Sequence, residues 1–84
     1  MADTVMMVYG TSWCGDCIRV RSYLNRNDIA YRWVNIDQDQ EGEALVYRLN
    51  HGMRSVPTII FPDGDILVEP SPAELKQKIS TFNC

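Results

Sequence analysis

Apolar and polar positions along this chain alternate between runs typical of strands and spacings typical of helices. The first run, Val5 to Tyr9, has no polar interruption and is closed by Gly10, as expected for a strand buried on both faces. We predict that it is the central strand of a sheet. Residues 15–25 have helical periodicity instead, and this predicts a first helix. The apolar positions on one face of that helix are Cys17, Val20 and Leu24.

A second strand and a second helix follow. Residues 30–36 are rich in aromatic and β-branched side chains, which favours a strand. The acidic stretch 38–43 suits a helix start, where negative charge meets the positive end of the helix dipole. We expect Gly52 to end this helix in a left-handed conformation, with Asn50 and His51 in its last turn. The predicted apolar stripe consists of Ala44, Leu45 and Leu49.

The last part of the chain predicts a hairpin and a third helix. Residues 59–61 and 66–68 are apolar runs on either side of a Pro-Asp-Gly-Asp turn signal. Ser71, Pro72 and Glu74 have the spacing of a capping box with proline at the first helical position. The order is β-α-β-α-β-β-α, which a four-stranded mixed sheet with helices on both faces accommodates. We therefore expect an α/β fold in one domain spanning residues 1–84.

Composition and charge narrow the function classes. The 84 residues are 45% hydrophobic and 23% charged, which is ordinary for a small globular domain. The net charge of −3 and the scattered basic residues argue against binding to nucleic acid. Residues 1–7 show no secretory signal, and no apolar run approaches the length that spans a membrane. We expect a monomeric, cytoplasmic protein without membrane contact.

The segment Trp13-Cys14-Gly15-Asp16-Cys17 carries the chemistry. Two cysteines separated by two residues, at the start of the first helix of a βαβ unit, are typical of a thioredoxin-like redox pair. If Cys14 lies at the helix N-terminus, unpaired N–H groups and the helix dipole stabilise its thiolate. Cys17, one turn further along, is expected to be more sheltered. We predict that Cys14 attacks a substrate disulfide and that Cys17 resolves the resulting mixed disulfide.

Two residues of this segment have two interpretations each. The carboxylate of Asp16 either disfavours the neighbouring thiolate of Cys14, as a tuning residue, or only complements the helix N-terminus. Trp13 either packs against an incoming substrate or shields the loop and the first helix.

The alternative for a C-x-x-C pair is half of a zinc site. His51 and Cys84 would complete a set of three cysteines and one histidine by count, but the chain has no second closely spaced pair. We therefore favour redox chemistry over a metal site. Cys84 is expected to be an exposed tail thiol without a role, and His51 an ordinary surface residue.

Several segments together resemble the glutaredoxins, and within them the actinobacterial mycoredoxins. These segments are residues 9–17, the Ser-Val-Pro-Thr sequence at 55–58, Asp63-Gly64 and Pro70-Ser71. The combination of T-S-W-C-G-x-C with R-x-V-P-T is the specific part of the likeness, which runs from about residue 5 to residue 79.

This resemblance implies a thioredoxin-like fold with Pro57 in the cis form opposite Cys14. It also assigns binding roles. The backbone of Val56 would pair with the cysteinyl part of a bound thiol, and the helix N-terminus at Ser71 would offer N–H groups to a polar or anionic end of that ligand. Arg54 either lines the same groove or is a lone surface arginine.

The resemblance implies an enzyme, a thiol–disulfide oxidoreductase that reduces mixed disulfides between proteins and a low-molecular-weight thiol. It implies no permanently bound cofactor. The glycine pair that receives glutathione in many glutaredoxins is replaced here around Glu69-Pro70, so mycothiol is expected as co-substrate rather than glutathione.

Two alternative functions stay open. One is that of an electron donor, for example to ribonucleotide reductase, recharged by thioredoxin reductase. The other is a module in which Cys14 helps to hold a metal or an iron–sulfur cluster.

Overall fold

The computed structural model describes residues 5–82. Cys84 lies outside this range, and so do residues 1–4, which are part of the segment 1–7 considered above for a secretory signal. The observed elements follow the predicted order. They are β1 (Met6–Gly10), α1 (Gly15–Arg26), β2 (Tyr31–Asn35), α2 (Gln40–Leu49), β3 (Thr58–Ile60), β4 (Ile66–Val68) and α3 (Pro72–Phe82).

The four strands form one mixed sheet in the order β2-β1-β3-β4. β1 pairs parallel with β2 and antiparallel with β3, so that Val8 lies between Trp33 and Ile59. The β3–β4 hairpin is antiparallel, as its turn signal predicts. The fully apolar β1 is thus an interior strand, and the prediction of a thioredoxin-like α/β architecture with helices on both faces is confirmed.

Alternate residues of β1 serve two separate cores. Met6 and Val8 pack on the face covered by α1 and α3, together with Leu24, which is fully buried. Tyr9 faces the other way, toward Val46 of α2. The α1–α3 face buries more apolar side chains than the α2 face. Because each fully buried side chain of the size of leucine contributes about 1.5–3 kcal/mol, the α1–α3 face supplies most of the apolar stabilisation.

Helix α2 departs from the prediction in its buried face and in its end. Ala44 is exposed and Val46 is fully buried, because Gly42 lets the helix approach β2 so closely that a Cβ there would lie 2.8 Å from Val34 Cγ1. The face at positions 42 and 46 therefore turns toward the sheet, and the predicted stripe is wrong in this respect.

The predicted last turn of α2 is also wrong. The helix ends at Leu49, and Asn50 is its C-cap, donating from Nδ2 to the Val46 carbonyl at 2.8 Å. His51 and Gly52 both lie in the left-handed region, with φ of 56° and 86°. The Val46 carbonyl also accepts the Asn50 backbone N–H at 3.1 Å, so the Asn50 side chain adds a second hydrogen bond at the helix end.

The capping box of α3 is confirmed. The Ser71 N–H donates to Glu74 Oε1 at 2.8 Å, and the Glu74 N–H donates to Ser71 Oγ at 3.1 Å. Lys78 ties this helix to the β3–β4 turn through Asp63 and Asp65, both at 2.6 Å. None of the helices between residues 5 and 82 has the length and apolar content needed to cross a membrane.

Candidate active site

Cys14 is the N-cap of α1, as predicted. Its backbone is extended (φ −83°, ψ 121°), and its sulfur accepts a hydrogen bond from the Cys17 N–H at 3.3 Å. Its carbonyl accepts the first helical bond, from Ile18 N–H at 3.0 Å. The residue is half-buried, and one of the N–H groups of the first helical turn, which have no partner within the helix, points at its sulfur.

Cys17 has the opposite environment. It is a free thiol with no exposed surface. Burial raises the pKa of Cys17 to about 12, although the backbone N–H of Thr11 acts in the other direction. The hydrogen bond and the charge of Cys14, and then the charge of Asp16, raise the Cys17 pKa further. The resting Cys17 is therefore a protonated thiol at neutral pH.

Gly10 is a site residue that sequence reasoning missed. A Cβ at Gly10 would lie 2.5 Å from Cys17 Sγ and 3.0 Å from Cη2 of Trp33. The Trp33 ring is covered in turn by the Arg21 guanidinium, 4.1 Å from the ring centroid, a cation–π arrangement. Cys17 fits against β1 only because residue 10 has no side chain. A glycine at the end of an otherwise apolar strand is the signal that could have indicated such a close approach.

The Val56–Pro57 peptide bond is cis, as the resemblance implies. The Val56 carbonyl oxygen lies 4.0 Å from Cys14 Sγ, so the loop before β3 borders the exposed cysteine. Pro57 is buried, and its carbonyl accepts a hydrogen bond from the Glu69 N–H at 2.8 Å. Glu69 has a φ of 49°, a left-handed conformation at the place where the resemblance leads one to expect glycine.

Trp13 and Arg54 meet at a carboxylate that the sequence analysis did not single out. The Trp13 indole N–H donates to Asp37 Oδ2 at 2.8 Å, and Arg54 Nη2 pairs with Asp37 Oδ1. Arg54 Nε also lies 3.0 Å from Glu43 Oε2. The Trp13 N–H and the Arg54 guanidinium together lower the pKa of Asp37. This cluster of Trp13, Asp37, Glu43 and Arg54 is called the Arg54 cluster below.

The Arg54 cluster bears on both Trp13 and Arg54. Trp13 is 67% exposed and its indole N–H is held by Asp37, and whether its ring packs against a substrate or shields the loop and the first helix stays a prediction. Arg54 is not a lone surface arginine, because two carboxylates already bind it.

Asp16 and Ser71 are both engaged within their own helices. Asp16 is exposed and forms an ion pair with Arg19 one turn further along α1. Ser71 is exposed, and both its N–H and its hydroxyl are used in the capping box with Glu74. Whether Asp16 disfavours the Cys14 thiolate and whether Ser71 contacts a ligand remain predictions.

The arrangement suits sequential thiol chemistry. Cys14 offers an accessible sulfur, and Cys17 holds a second thiol at the same helix terminus. Among residues 5–82, no three His, Cys, Asp or Glu side chains come together as metal ligands could, and the Cys84 thiol of the zinc alternative lies outside that range.

Comparison with known proteins agrees with this geometry. The glutaredoxin family model matches residues 6–67. A glutaredoxin-like protein of Mycobacterium tuberculosis is 40% identical over 79 residues, covering 94% of each chain. Mycoredoxin 1 of Corynebacterium glutamicum is 35% identical over 75 residues, covering 89% of this chain and 92% of its own.

Among solved structures, a thioredoxin-like protein superposes with a TM-score of 0.78 at 23% identity, covering 89% of this chain and 94% of the other. This likeness supports the fold alone. The match over most of the sequence, the relatives at 35–40% identity and the paired thiols lead to one conclusion: the chain belongs to the glutaredoxin family and is a thiol–disulfide oxidoreductase of the kind that uses a low-molecular-weight thiol as co-substrate.

Proposed function

We propose that this enzyme reduces mixed disulfides between proteins and mycothiol, with Cys14 as the nucleophile. The observation that carries the proposal is the position of Cys14 Sγ, which caps α1 beside the Val56 carbonyl while the partner thiol is fully buried. Only one of the two sulfurs is accessible to a large substrate. The similarity to mycoredoxin 1 supports mycothiol as the small thiol.

The first step transfers the small thiol. The Cys14 thiolate attacks the mycothiol sulfur of the mixed disulfide, a new S–S bond forms between Cys14 and mycothiol, and the old S–S bond breaks. The protein substrate leaves as a thiolate and takes a proton from solvent. In this step Val56 would pair its backbone with the cysteinyl part of the substrate, next to Pro57, and the exposed Trp13 ring would pack against it.

Two routes then free Cys14. In the monothiol route, a second mycothiol thiolate attacks the bound mycothiol sulfur, which releases the Cys14 thiolate and a mycothiol disulfide. In the dithiol route, Cys17 loses its proton and attacks Cys14 Sγ, which releases mycothiol and leaves a Cys14–Cys17 disulfide. We propose that the monothiol route suffices, because the raised pKa of Cys17 opposes its ionisation. Either route needs a reducing compartment, and we propose the cytoplasm.

Substitution of each cysteine tests this assignment. Cys14→Ser should abolish reduction of a mycothiolated peptide in the presence of mycothiol and its NADPH-linked disulfide reductase. Cys17→Ser should retain activity within about tenfold of the parent protein, because the monothiol route does not use Cys17. A tenfold loss corresponds to about 1.4 kcal/mol of transition-state stabilisation. Equal loss from both substitutions would refute the monothiol route and favour a strictly dithiol cycle.

The identity of the small thiol needs a second comparison. The same peptide carrying mycothiol or glutathione should be compared, each with its own thiol and reductase. The proposal requires a higher kcat/KM with mycothiol, and a preference for glutathione would overturn it. Direct reduction of the Cys14–Cys17 disulfide by thioredoxin reductase and NADPH, faster than by mycothiol, would assign the enzyme to the electron-donor class instead.

A further inference from the structure

Arg54, two residues before Val56, is already paired with carboxylates of the same chain. The Arg54 guanidinium binds Asp37 and Glu43, so one positive charge faces two negative ones. Asp37 is also held by the indole N–H of Trp13. The Arg54 cluster therefore carries a net charge of −1, and its arginine has little left to offer an incoming anion.

The N-terminus of α3 is filled in the same way. Its cap residue, Ser71, donates its N–H to the Glu74 carboxylate at 2.8 Å. A carboxylate on an external ligand would have to displace one that is tethered three residues away, and it would meet the Glu74 charge. Glu69 adds an exposed carboxylate to this side, next to the Pro57 carbonyl that its N–H binds.

Both sets of carboxylates belong to segments that adjoin Cys14 along the chain or through hydrogen bonds. Arg54 lies two residues before Val56, whose carbonyl oxygen is 4.0 Å from Cys14 Sγ. Trp13, which Asp37 holds, is the residue before Cys14. On the other side, Glu69 is hydrogen-bonded to Pro57, the residue after Val56.

We propose that these carboxylates make the site select uncharged small thiols over anionic ones, with Glu43 and Glu74 as the specificity-determining residues. The inference rests on the proposed function and narrows its substrate class to thiols whose groups beyond the sulfur carry no negative charge.

The test measures how fast Cys14 is thiolated by disulfides that differ in charge. A Cys17→Ser/Cys84→Ser background leaves Cys14 as the single thiol of the chain. Second-order rate constants are measured by mass spectrometry at low ionic strength with neutral hydroxyethyl disulfide, anionic dithiodiglycolate and cationic cystamine. Each rate constant is divided by that of a cysteine-containing peptide, which removes the intrinsic reactivity of the disulfide.

The double variant Glu43→Gln/Glu74→Gln removes two negative charges with little change of shape, and glutamine still serves in a capping box. Its ratio of anionic to neutral rate should rise roughly 3- to 10-fold over the background, because two negative charges that repel the anionic disulfide are gone. In about 1 M salt, where the Debye length is about 3 Å, this gain should shrink toward onefold.

A control removes one negative charge far from the site. Asp63→Asn lies in the β3–β4 turn, which the strand register places at the end of the sheet opposite Gly10, and Asp65 still binds Lys78 there. Its anionic-to-neutral ratio should stay within about twofold of the background, because the Coulomb energy of a single charge falls with distance.

Equal normalised rates for the anionic and neutral disulfides, an unchanged ratio in the Gln variant, or an equal rise in the control would each overturn the inference. Because thiolation of Cys14 is measured without any protein substrate, these outcomes are distinct from a failure to reduce protein–mycothiol disulfides, which would overturn the proposed function.

Discussion

Substitution of Gly10 by alanine tests the packing on which Cys17 depends. The added Cβ would lie 2.5 Å from Cys17 Sγ and 3.0 Å from Trp33 Cη2, whereas nonbonded heavy atoms pack at about 3.5–4.0 Å. A shift of about 1 Å is therefore required. Neither neighbour moves freely, because Cys17 is fully buried in α1 and the Trp33 ring is covered by Arg21.

The expected cost follows from two opposing effects. Overpacking of a core costs about 1–3 kcal/mol, and replacing glycine by alanine recovers about 0.4–1 kcal/mol through the unfolded chain. We expect Gly10→Ala to lower the free energy of unfolding of the reduced protein by about 1–2 kcal/mol. A displacement of Cys17 by about 1 Å should also slow formation of the Cys14–Cys17 disulfide by about 10- to 100-fold.

Urea denaturation and a double-mutant cycle measure the first effect. If the obstacle is the Cys17 sulfur, Gly10→Ala/Cys17→Ala should be more stable than the sum of the single changes by about 1 kcal/mol, with an unchanged m value. Gly15→Ala is the control, since its Cβ would meet no atom within 4 Å, and it should be neutral or stabilising by up to about 1 kcal/mol. An additive cycle, or a Gly10→Ala protein as stable as its parent, would refute the proposed packing.

Three further predictions concern pH, capping and the tryptophan. Because burial raises the pKa of Cys17 to about 12 from an ordinary value near 9, the reduced protein should lose stability between pH 9 and 12, by up to about 1.4 kcal/mol per pH unit. Urea titrations should show that Cys17→Ala lacks this part of the slope, and equal slopes would contradict it. Ser71→Ala should cost about 1 kcal/mol in the same assay while Ser71→Thr restores most of it; no difference between them would argue against the cap. Asp37→Ala should lower the fluorescence anisotropy of Trp13 in a Trp33→Phe background, and an unchanged value would show that the indole bond does not hold the ring.

The sequence predicts most of the fold because the signals involved are local. The apolar run of β1, the turn before β4 and the capping box at Ser71 each act over a few residues, and all three are present as predicted. The position of Cys14 as N-cap follows from the same kind of signal. The buried face of α2 does not, because it depends on how closely Gly42 approaches Val34 in another element.

The unpredicted parts of the site are contacts between distant residues. Asp37 lies 24 residues from Trp13 and 17 from Arg54, and no spacing rule links a loop aspartate to either. The contact between Gly10 and Cys17 likewise appears only once α1 packs on the sheet. Sequence patterns identify the reacting groups, whereas their orientation and the charge around them are properties of the packed structure.

The two thiols differ in environment because of where the helix begins. Three residues of separation leave Cys14 at the N-cap and bury Cys17 in the first turn of α1. With its pKa raised to about 12, chiefly by burial, Cys17 is protonated at neutral pH. Part of that rise comes from the hydrogen bond and the charge of Cys14. The proposed dithiol route therefore requires a proton to leave a buried sulfur before the attack, which is why we propose that the monothiol route suffices.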